Sequence, residues 1–237
     1  MLHAALEKSG RHIVLSLSPG PTALDKAEEV SKSAEMWRIS DDFWDHWGPW
    51  QGHDWSQGLR AQFDTAARWA ATFARTGRWP DADMLPLGRL GPHPGEGQAR
   101  DTLFSRDEQR TMMTLWSIFR SPLVMGGDLQ SSDEWTTSLL TNPEVIAVDQ
   151  HSRDNHRVIA DDNVAVWTAR PDSGNGYYVA VFNIGDDERV IGYNWKQLGL
   201  PENSFTVRDL WDAKDLGKAS SLKATLRPHA SVLYRLQ

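Results

Sequence analysis

Cysteine is absent from the 237 residues of this chain. Its absence excludes disulfide bonds, thiolate nucleophiles and cysteine-liganded metal sites, and it assigns the chain to no particular compartment. No apolar run reaches the roughly 18 residues of a membrane-spanning helix, and the N-terminus lacks a signal-peptide pattern. Basic residues form no stripe and the net charge is −7, so neither nucleic acid nor an anionic membrane is expected as a partner.

Several functional motifs are also missing. The eight histidines are dispersed, and no His-x-x-x-His or histidine–carboxylate helix spacing occurs, so no metal site is predicted. The sequence contains no Gly-x-Ser-x-Gly elbow, no P-loop and no dinucleotide-binding fingerprint. We therefore predict that the protein uses neither a metal nor an organic cofactor.

Tryptophan is abundant, with twelve copies against four tyrosines and seven phenylalanines. A buried indole fills a large core volume and needs only one partner for its N–H group. An accessible indole can instead stack against the apolar face of a sugar ring. Both interpretations stay open for the group Trp37, Trp44, Trp47, Trp50 and Trp55.

The first two-thirds of the chain alternates strand-like with helix-like segments. The apolar runs 11–18 and 122–129 have the composition of strands buried on both faces. Helices are predicted over 58–75, from the apolar spacing, and over 105–121, which begins with the Ser-x-x-Glu spacing of a capping box. Segment 88–104, rich in glycine and proline, is predicted as a loop. Repeated strand–helix units indicate parallel strands with helices outside them.

The pattern changes close to residues 151–155. Beyond that point, short segments alternate apolar with polar residues and are separated by turn residues, which is typical of an antiparallel sheet. We therefore predict a parallel α/β domain over 1–152 and an antiparallel β-sandwich domain over 153–237.

Acidic and basic residues gather where the predicted parallel strands end, in segments 16–21, 38–42 and 79–84. In an α/β barrel the chemistry takes place at the carboxyl ends of the strands. Glycoside hydrolysis needs two carboxyl groups that flank the scissile bond. Asp41 and Asp42 cannot be that pair, because adjacent side chains on a strand point to opposite faces. A single aspartate after a strand is more often a turn or helix cap than a catalytic group.

Five segments of the chain occur in the order seen in one enzyme family: RHIVLSLSPG, MWRISDDFWDHW, WPDADMLPLG, MMTLWSIFRSPLVMGGDL and NPEVIAVDQ. They resemble glycoside hydrolase family 27, the α-galactosidase and α-N-acetylgalactosaminidase (melibiase) family, over most of residues 8–150. The β-rich tail is similar to that family's C-terminal domain. The resemblance implies an α/β fold, a partial (β/α)₈ TIM barrel of about strands 5–8, followed by an antiparallel β-sandwich. It also implies retaining hydrolysis of α-galactosides.

The resemblance implies roles for individual residues. Asp42 lies four residues after Arg38 and matches the family's general acid/base, whereas Asp41 is a supporting neighbour. Arg38 itself matches a substrate-binding arginine, and Asp83 and Met84 match the pair that lines the galactose pocket.

Two further positions concern the sugar and its surroundings. Asp81 matches an acid close to the pocket. Ser18 takes the place of a residue that contacts the sugar's 2-substituent, although Pro19 and Pro21 depart from the family's loop pattern. The expected substrate is a galactose-configured or related sugar, pentopyranoses included.

The family's nucleophile has no match in this chain. It is an aspartate in a Lys-x-Asp setting on an earlier strand, and nothing before His12 supplies it. The resemblance therefore predicts an inactive fragment of a glycosidase whose partner is the missing first half of the barrel. Two alternatives remain: a non-catalytic carbohydrate-binding protein, and a complete hydrolase that uses Asp81 or Asp83 as its nucleophile.

Overall fold

The computed structural model describes residues 2–49, 57–72, 77–93 and 97–237. Trp50, Trp55 and the end of the helix predicted over 58–75 lie outside these ranges. Within the described residues, no helix is long and apolar enough to cross a membrane.

The N-terminal part of the described chain consists of short strands and longer helices. In chain order these are α1 Leu2–Lys8, β1 Ser16–Leu17, α2 Ala27–Val30, β2 Met36–Arg38, α3 Leu59–Thr72, β3 Trp79–Asp81, β4 Arg89–Leu90, β5 Arg100–Asp101, α4 Arg106–Phe119, α5 Glu134–Leu140 and α6 Pro143–Gln150. Strands β1, β2 and β3 pair side by side in parallel. A further parallel bridge joins Leu85 to Met125. This arc is part of a (β/α)₈ barrel.

Helix α4 lies between the parallel strands and the C-terminal sheet. Its start is fixed by the predicted capping box: the Ser105 hydroxyl accepts from the Glu108 N–H at 3.2 Å, and the Glu108 carboxylate accepts from the Ser105 N–H at 2.7 Å. Trp116 and Ile118 are fully buried, as is Thr114 on another side of the helix. A helix that is buried on nearly every side needs packing partners on both flanks.

The two predictions of strands buried on both faces are wrong. Only Ser16–Leu17 of segment 11–18 forms a strand, and Ile13 and Val14 are 39% and 56% exposed. Segment 122–129 makes one parallel bridge, and Val124 is 49% exposed. A parallel strand buries its apolar residues only when neighbouring strands and helices cover it. In the described residues, β1 has a strand neighbour on one edge alone.

The C-terminal part is a sandwich of two antiparallel sheets. Its strands are β6 Ser152–Ala160, β7 Val164–Pro171, β8 Tyr177–Asn183, β9 Arg189–Asn194, β10 Phe205–Asp209, β11 Lys214–Ala219, β12 Ser221–Leu226 and β13 Ser231–Leu236. Six of them form a sheet in the order β11-β10-β13-β8-β7-β6, and β9 pairs with β12 in the smaller sheet. The two sheets enclose a core that includes Val166, Val181, Ile191, Trp195 and Leu222.

The larger sheet buries both of its faces along β7 and β8. Residues 164–169 of β7 are buried without the expected polar alternation. One face covers the core of the sandwich, and the other packs on α3 and α4, where Phe182 meets Phe63 edge-on with ring centroids 5.0 Å apart. The sandwich and the barrel strands therefore share one hydrophobic core. The predicted domain boundary at 152/153 stays a prediction.

Candidate active site

Four of the five predicted site residues lie together at the carboxyl ends of β2 and β3. Arg38 ends β2, and its Nη2 lies 3.3 Å from Asp42 Oδ1 and 2.8 Å from Asp83 Oδ2. Asp42, Asp83 and Met84 line one cavity of about 360 Å³. Ser18, one residue beyond β1, is exposed and is not among the residues that line this cavity in the described chain.

The Arg38 guanidinium is the central charge of the site. Its side chain is only 8% exposed, and Nη2 also donates to the Ser40 carbonyl at 3.2 Å. A buried cation is stable only when it is paired and hydrogen-bonded. Arg38 therefore pairs with both the Asp42 and the Asp83 carboxylates and offsets the repulsion between their like charges.

Asp83 is held in a backbone conformation that a non-glycine residue seldom adopts. Its φ is 83°, which costs on the order of 1–3 kcal/mol. The Phe43 and Met84 N–H groups donate to its carboxylate at 2.8 and 2.7 Å, and Trp116 Nε1 donates to its carbonyl at 2.9 Å. Burial raises the pKa of Asp83, against the lowering effects of the Phe43 N–H and the Arg38 charge. These contacts fix the loop after β3 to the loop after β2.

Asp81 lies behind the cavity. It is 8% exposed, and its Oδ1 accepts from the Asp83 N–H at 2.9 Å. Burial raises the pKa of Asp81 above its usual value. The side chain thus supports the turn that presents Asp83.

The three aspartates after β2 have different surroundings. The Asp42 side chain is 62% exposed and lines the cavity. Asp41 is half-buried and does not line the cavity that the described residues form. The Asp45 side chain is fully buried and receives two hydrogen bonds from Arg100, Nη1 to Oδ2 at 2.5 Å and Nη2 to Oδ1 at 2.9 Å. Asp42 is therefore the carboxylate that a ligand in this cavity would meet.

The ion pair between Asp45 and Arg100 was missed by the sequence reasoning. Segment 88–104 is not a plain loop: β4 pairs with β5, and His93 bridges to Gly97. Burial raises the pKa of Asp45, but the hydrogen bonds from Arg100 and the Leu103 N–H outweigh it, so the pKa lies below its usual value. The pair ties this hairpin, residues 89–93 and 97–101, to the loop after β2. No local sequence pattern predicts a contact between residues that are 55 positions apart.

Glycine and methionine together shape the cavity floor. A Cβ atom added at Gly126 would clash with the Met84 sulfur, and both residues line the cavity. Gly126, the first glycine of the Gly-Gly pair that ends the predicted strand 122–129, therefore makes room for Met84.

The tryptophan group divides between core and cavity. Trp37 is fully buried and its ring lies 6.1 Å from that of Trp69. Trp44 lines the cavity, and Trp47 stacks on His229 with ring centroids 3.7 Å apart. Core packing accounts for Trp37, whereas Trp44 lies beside the cavity with 8% of its surface exposed.

Two family models match the chain. The model described as alpha galactosidase A matches residues 1–151, and the model described as alpha galactosidase C-terminal beta sandwich domain matches residues 161–236. The parallel strands with acidic carboxyl ends and the C-terminal sandwich agree with these two matches. The chain belongs to glycoside hydrolase family 27, the α-galactosidase family.

Individual relatives align with nearly the whole of this chain, and the alignment covers about half of each relative. An α-galactosidase of Oryza sativa is 29% identical over 98% of this chain and 51% of the relative, and one of Coffea arabica is 30% identical over 100% and 57%. The chain thus spans about half the length of the curated relatives it matches.

Solved structures resemble the chain in the same way. A GH27 β-L-arabinopyranosidase from Geobacillus stearothermophilus is 44% identical with a TM-score of 0.91, over 100% of this chain and 52% of that one. An α-galactosidase I from Mortierella vinacea is 25% identical with a TM-score of 0.83, over 100% and 61%. The fold and the family agree with the resemblance seen in the sequence.

Proposed function

We propose that this chain carries the general acid/base of a retaining glycoside hydrolase that cleaves terminal galactose-configured glycosides. The observation that carries the proposal is the Arg38-centred pair of carboxylates at the strand ends, which both line the cavity and of which Asp42 is the more exposed, at 62% against 15% for Asp83. Arg38, Asp83 and Met84 would hold the sugar, and Ser18 would lie close to its 2-position.

Asp42 would act twice in each turnover. As an acid it gives its proton to the glycosidic oxygen while the bond to the anomeric carbon breaks. As a base it then takes a proton from the water that releases the sugar from the enzyme. An accessible carboxyl group can exchange protons in this way, and the Asp42 side chain is 62% exposed.

The nucleophile is proposed to come from residues outside this chain. Asp81 and Asp83 are poor candidates, because their carboxylates already accept backbone N–H groups and are largely buried. A nucleophilic carboxylate must face the anomeric carbon from the side opposite the acid. In a retaining enzyme the two carboxyl groups are about 5–5.5 Å apart. The relatives contain roughly as much chain again in which such a residue can lie.

The partner that would supply it is the first half of the barrel. Ile13 and Val14 are exposed close to β1, and Val124 is exposed in the segment that bridges to Leu85. These residues belong to the two outer edges of the described parallel arc, where a closed barrel would add further strands. Exposed apolar strand edges favour association with other strands.

A specific observation favours the pentose as the sugar. The β-L-arabinopyranosidase is 44% identical to this chain, whereas the α-galactosidases given above are 25–30% identical. A β-L-arabinopyranoside has the ring configuration of an α-D-galactopyranoside without the exocyclic hydroxymethyl group. β-L-Arabinopyranosidase activity is therefore the second candidate, carried by the same residues.

The test is a chimaera that joins the N-terminal half of the Geobacillus stearothermophilus enzyme to this chain. The chimaera should hydrolyse 4-nitrophenyl α-galactopyranoside or 4-nitrophenyl β-L-arabinopyranoside, and the 237-residue chain alone should hydrolyse neither. Turnover by the chain alone would mean that its own carboxylates include the nucleophile. A folded chimaera that binds these sugars without turnover would favour the non-catalytic carbohydrate-binding protein.

Asp42→Asn in the chimaera tests the acid. We expect kcat/KM to fall by about 10²–10⁴ for disaccharides, whose leaving groups need a proton, and by less for 4-nitrophenyl glycosides. Asp41→Asn is the matched control and should have a smaller effect. Equal losses on both kinds of substrate, or a larger effect of Asp41→Asn, would remove Asp42 from the role.

A further inference from the structure

The cavity at Asp42 extends along a wall that the proposed sugar-binding residues do not explain. Trp44 lies two residues after Asp42, and the hairpin contributes Leu90, Gly91, Pro92 and His93. The His93 imidazole lies against the Trp44 indole, with ring centroids 5.0 Å apart. This wall therefore combines apolar surface with one polar, titratable ring.

The wall is held in place from below. Arg100, at the base of the hairpin, donates twice to the buried Asp45, and the Leu103 N–H donates to the same carboxylate at 2.5 Å. The Thr102 N–H donates to the Gly88 carbonyl at 2.8 Å, and the Asp128 N–H donates to the Arg89 carbonyl at 2.7 Å. A surface that is ordered before a ligand arrives loses little entropy on binding.

We propose that Trp44 and the hairpin residues Leu90–His93 form the subsite for the leaving group, and that they bind a ring presenting a flat apolar face. The inference rests on the proposed function, since it takes Asp42 as the acid. The acid must reach the glycosidic oxygen, so the leaving group begins at Asp42 and continues towards its neighbours. Trp44 is the adjacent wall residue and is 8% exposed.

The chemistry of the wall agrees with a ring that has a flat apolar face. The cavity as a whole, about 360 Å³, is within the range of small-molecule sites, which are mostly apolar with a few polar groups. The apolar side chains Trp44, Leu90 and Pro92 suit the face of a pyranose or an aryl ring equally. The exposed His93 can donate to or accept from a ring substituent.

Ligand-observed saturation-transfer NMR on the 237-residue chain tests the proposal. The ligands are methyl α-galactopyranoside, melibiose, which adds a glucose ring, and 4-nitrophenyl α-galactopyranoside, which adds an aryl ring. Stacking contributes about threefold to tenfold, so at least one of the larger ligands should bind tighter than the methyl glycoside by that factor. Its added ring should receive saturation from the protein. A gain for melibiose alone identifies a sugar, and a gain for the nitrophenyl glycoside alone identifies an aryl group.

The variants assign that gain to the wall. His93→Ala and Trp44→Ala should reduce it to less than twofold, and Trp44→Phe should restore part of it. His156→Ala, an exposed histidine on β6, is the matched control and should keep the whole gain. If Trp44→Ala does not fold, as judged by circular dichroism, His93→Ala decides.

The outcomes separate this inference from the proposed function. Equal affinities for all three ligands, or a gain that survives His93→Ala, would overturn the leaving-group subsite. Galactosides that bind no better than methyl α-glucopyranoside would overturn the proposed function instead, even where the added ring still contacts His93.

Discussion

The part of the chain before β6, which we call the half-barrel, and the sandwich bury their strands in different ways. The parallel strands β1, β2 and β3 are two or three residues long, and apolar residues beside them, such as Val14, are more than half exposed. The antiparallel strands β7 and β8 are eight and seven residues long, and both faces are covered along most of their length. The sandwich has a core of its own, whereas helices α3 and α4 of the half-barrel are partly covered by the sandwich.

The difference separates the region that carries the candidate chemistry from the region that stabilises it. Every residue of the candidate site lies in the half-barrel, between β1 and the segment after α4. The sandwich packs against α3 and α4, and these helices in turn pack on the parallel strands. Trp211 Nε1 donates to Thr114 Oγ1 at 2.8 Å across the same contact. The sandwich therefore covers sides of α3 and α4 that do not face the parallel strands.

Phe182→Ala should break this arrangement with the largest effect. Phe182 is fully buried on β8 and meets Phe63 of α3 edge-on at 5.0 Å. Loss of a buried phenylalanine leaves a cavity and costs about 3–5 kcal/mol of unfolding free energy. Urea denaturation followed by circular dichroism measures it.

Val190→Ala is the matched control for Phe182→Ala. Val190 is 84% exposed on β9, and its substitution should change the unfolding free energy by less than about 0.5 kcal/mol. A cost below 1 kcal/mol for Phe182→Ala would mean that the two regions do not depend on their shared core.

Asp149→Asn should stabilise the half-barrel, most clearly at alkaline pH. Asp149 is 7% exposed on α6, its Oδ1 has no hydrogen-bond partner within the described residues, and Arg120 Nε donates to its carbonyl at 2.9 Å. Burial raises the pKa of Asp149 to about 7, against a lowering effect of Arg120. The folded state then holds a proton that the unfolded state releases at about pH 4, so stability falls as pH rises from 4 through 7.

Thermal melts at pH 4 and pH 8 measure this effect. The asparagine variant should lose that part of the pH dependence, and its gain at pH 8 should be at most about 4 kcal/mol, from the size of the pKa shift. Asp154→Asn, at a side chain that is 59% exposed, is the control and should change neither melt. An unchanged pH dependence in Asp149→Asn would mean that the carboxylate is ionised in the folded protein at neutral pH.

The sequence predicts best what is encoded by neighbours in the chain. The capping box at Ser105 and Glu108 is a local pattern, and the structure confirms it. Asp42 is selected by the family resemblance, from its position four residues after Arg38, and it lines the cavity, while its role in catalysis stays a prediction. The contact between Asp45 and Arg100 could not be predicted, because it depends on how the paired strands β4 and β5 lie against the loop after β2.

The wrong predictions concern how deeply individual segments are buried. Apolar composition alone indicated that segments 11–18 and 122–129 are covered on both faces, but burial depends on the partners that a strand finds. For the sandwich the error had the opposite sign, because the sequence predicted less burial than the structure has. Their predicted alternation failed in β7, where Val164, Val166 and Thr168 face one environment and Ala165 and Trp167 another, and all five are buried.

A double-mutant cycle on Arg157 and Asp64 should give the smallest effect on the unfolding free energy. Arg157 Nη1 on β6 donates to Asp64 Oδ1 on α3 at 2.6 Å, which joins the sandwich to the half-barrel by charge. The Asp64 side chain is 76% exposed, so water and salt screen the pair, and its coupling should lie between about 0.2 and 1 kcal/mol. Arg157→Ala alone should cost more than this coupling, because Nη1 also donates to the Phe63 carbonyl at 3.3 Å. Unfolding free energies of the two single variants and the double variant, at low and at high salt, measure the coupling. A coupling above 2 kcal/mol that persists in high salt would mean that charge, rather than apolar packing at Phe63 and Phe182, holds the two regions together.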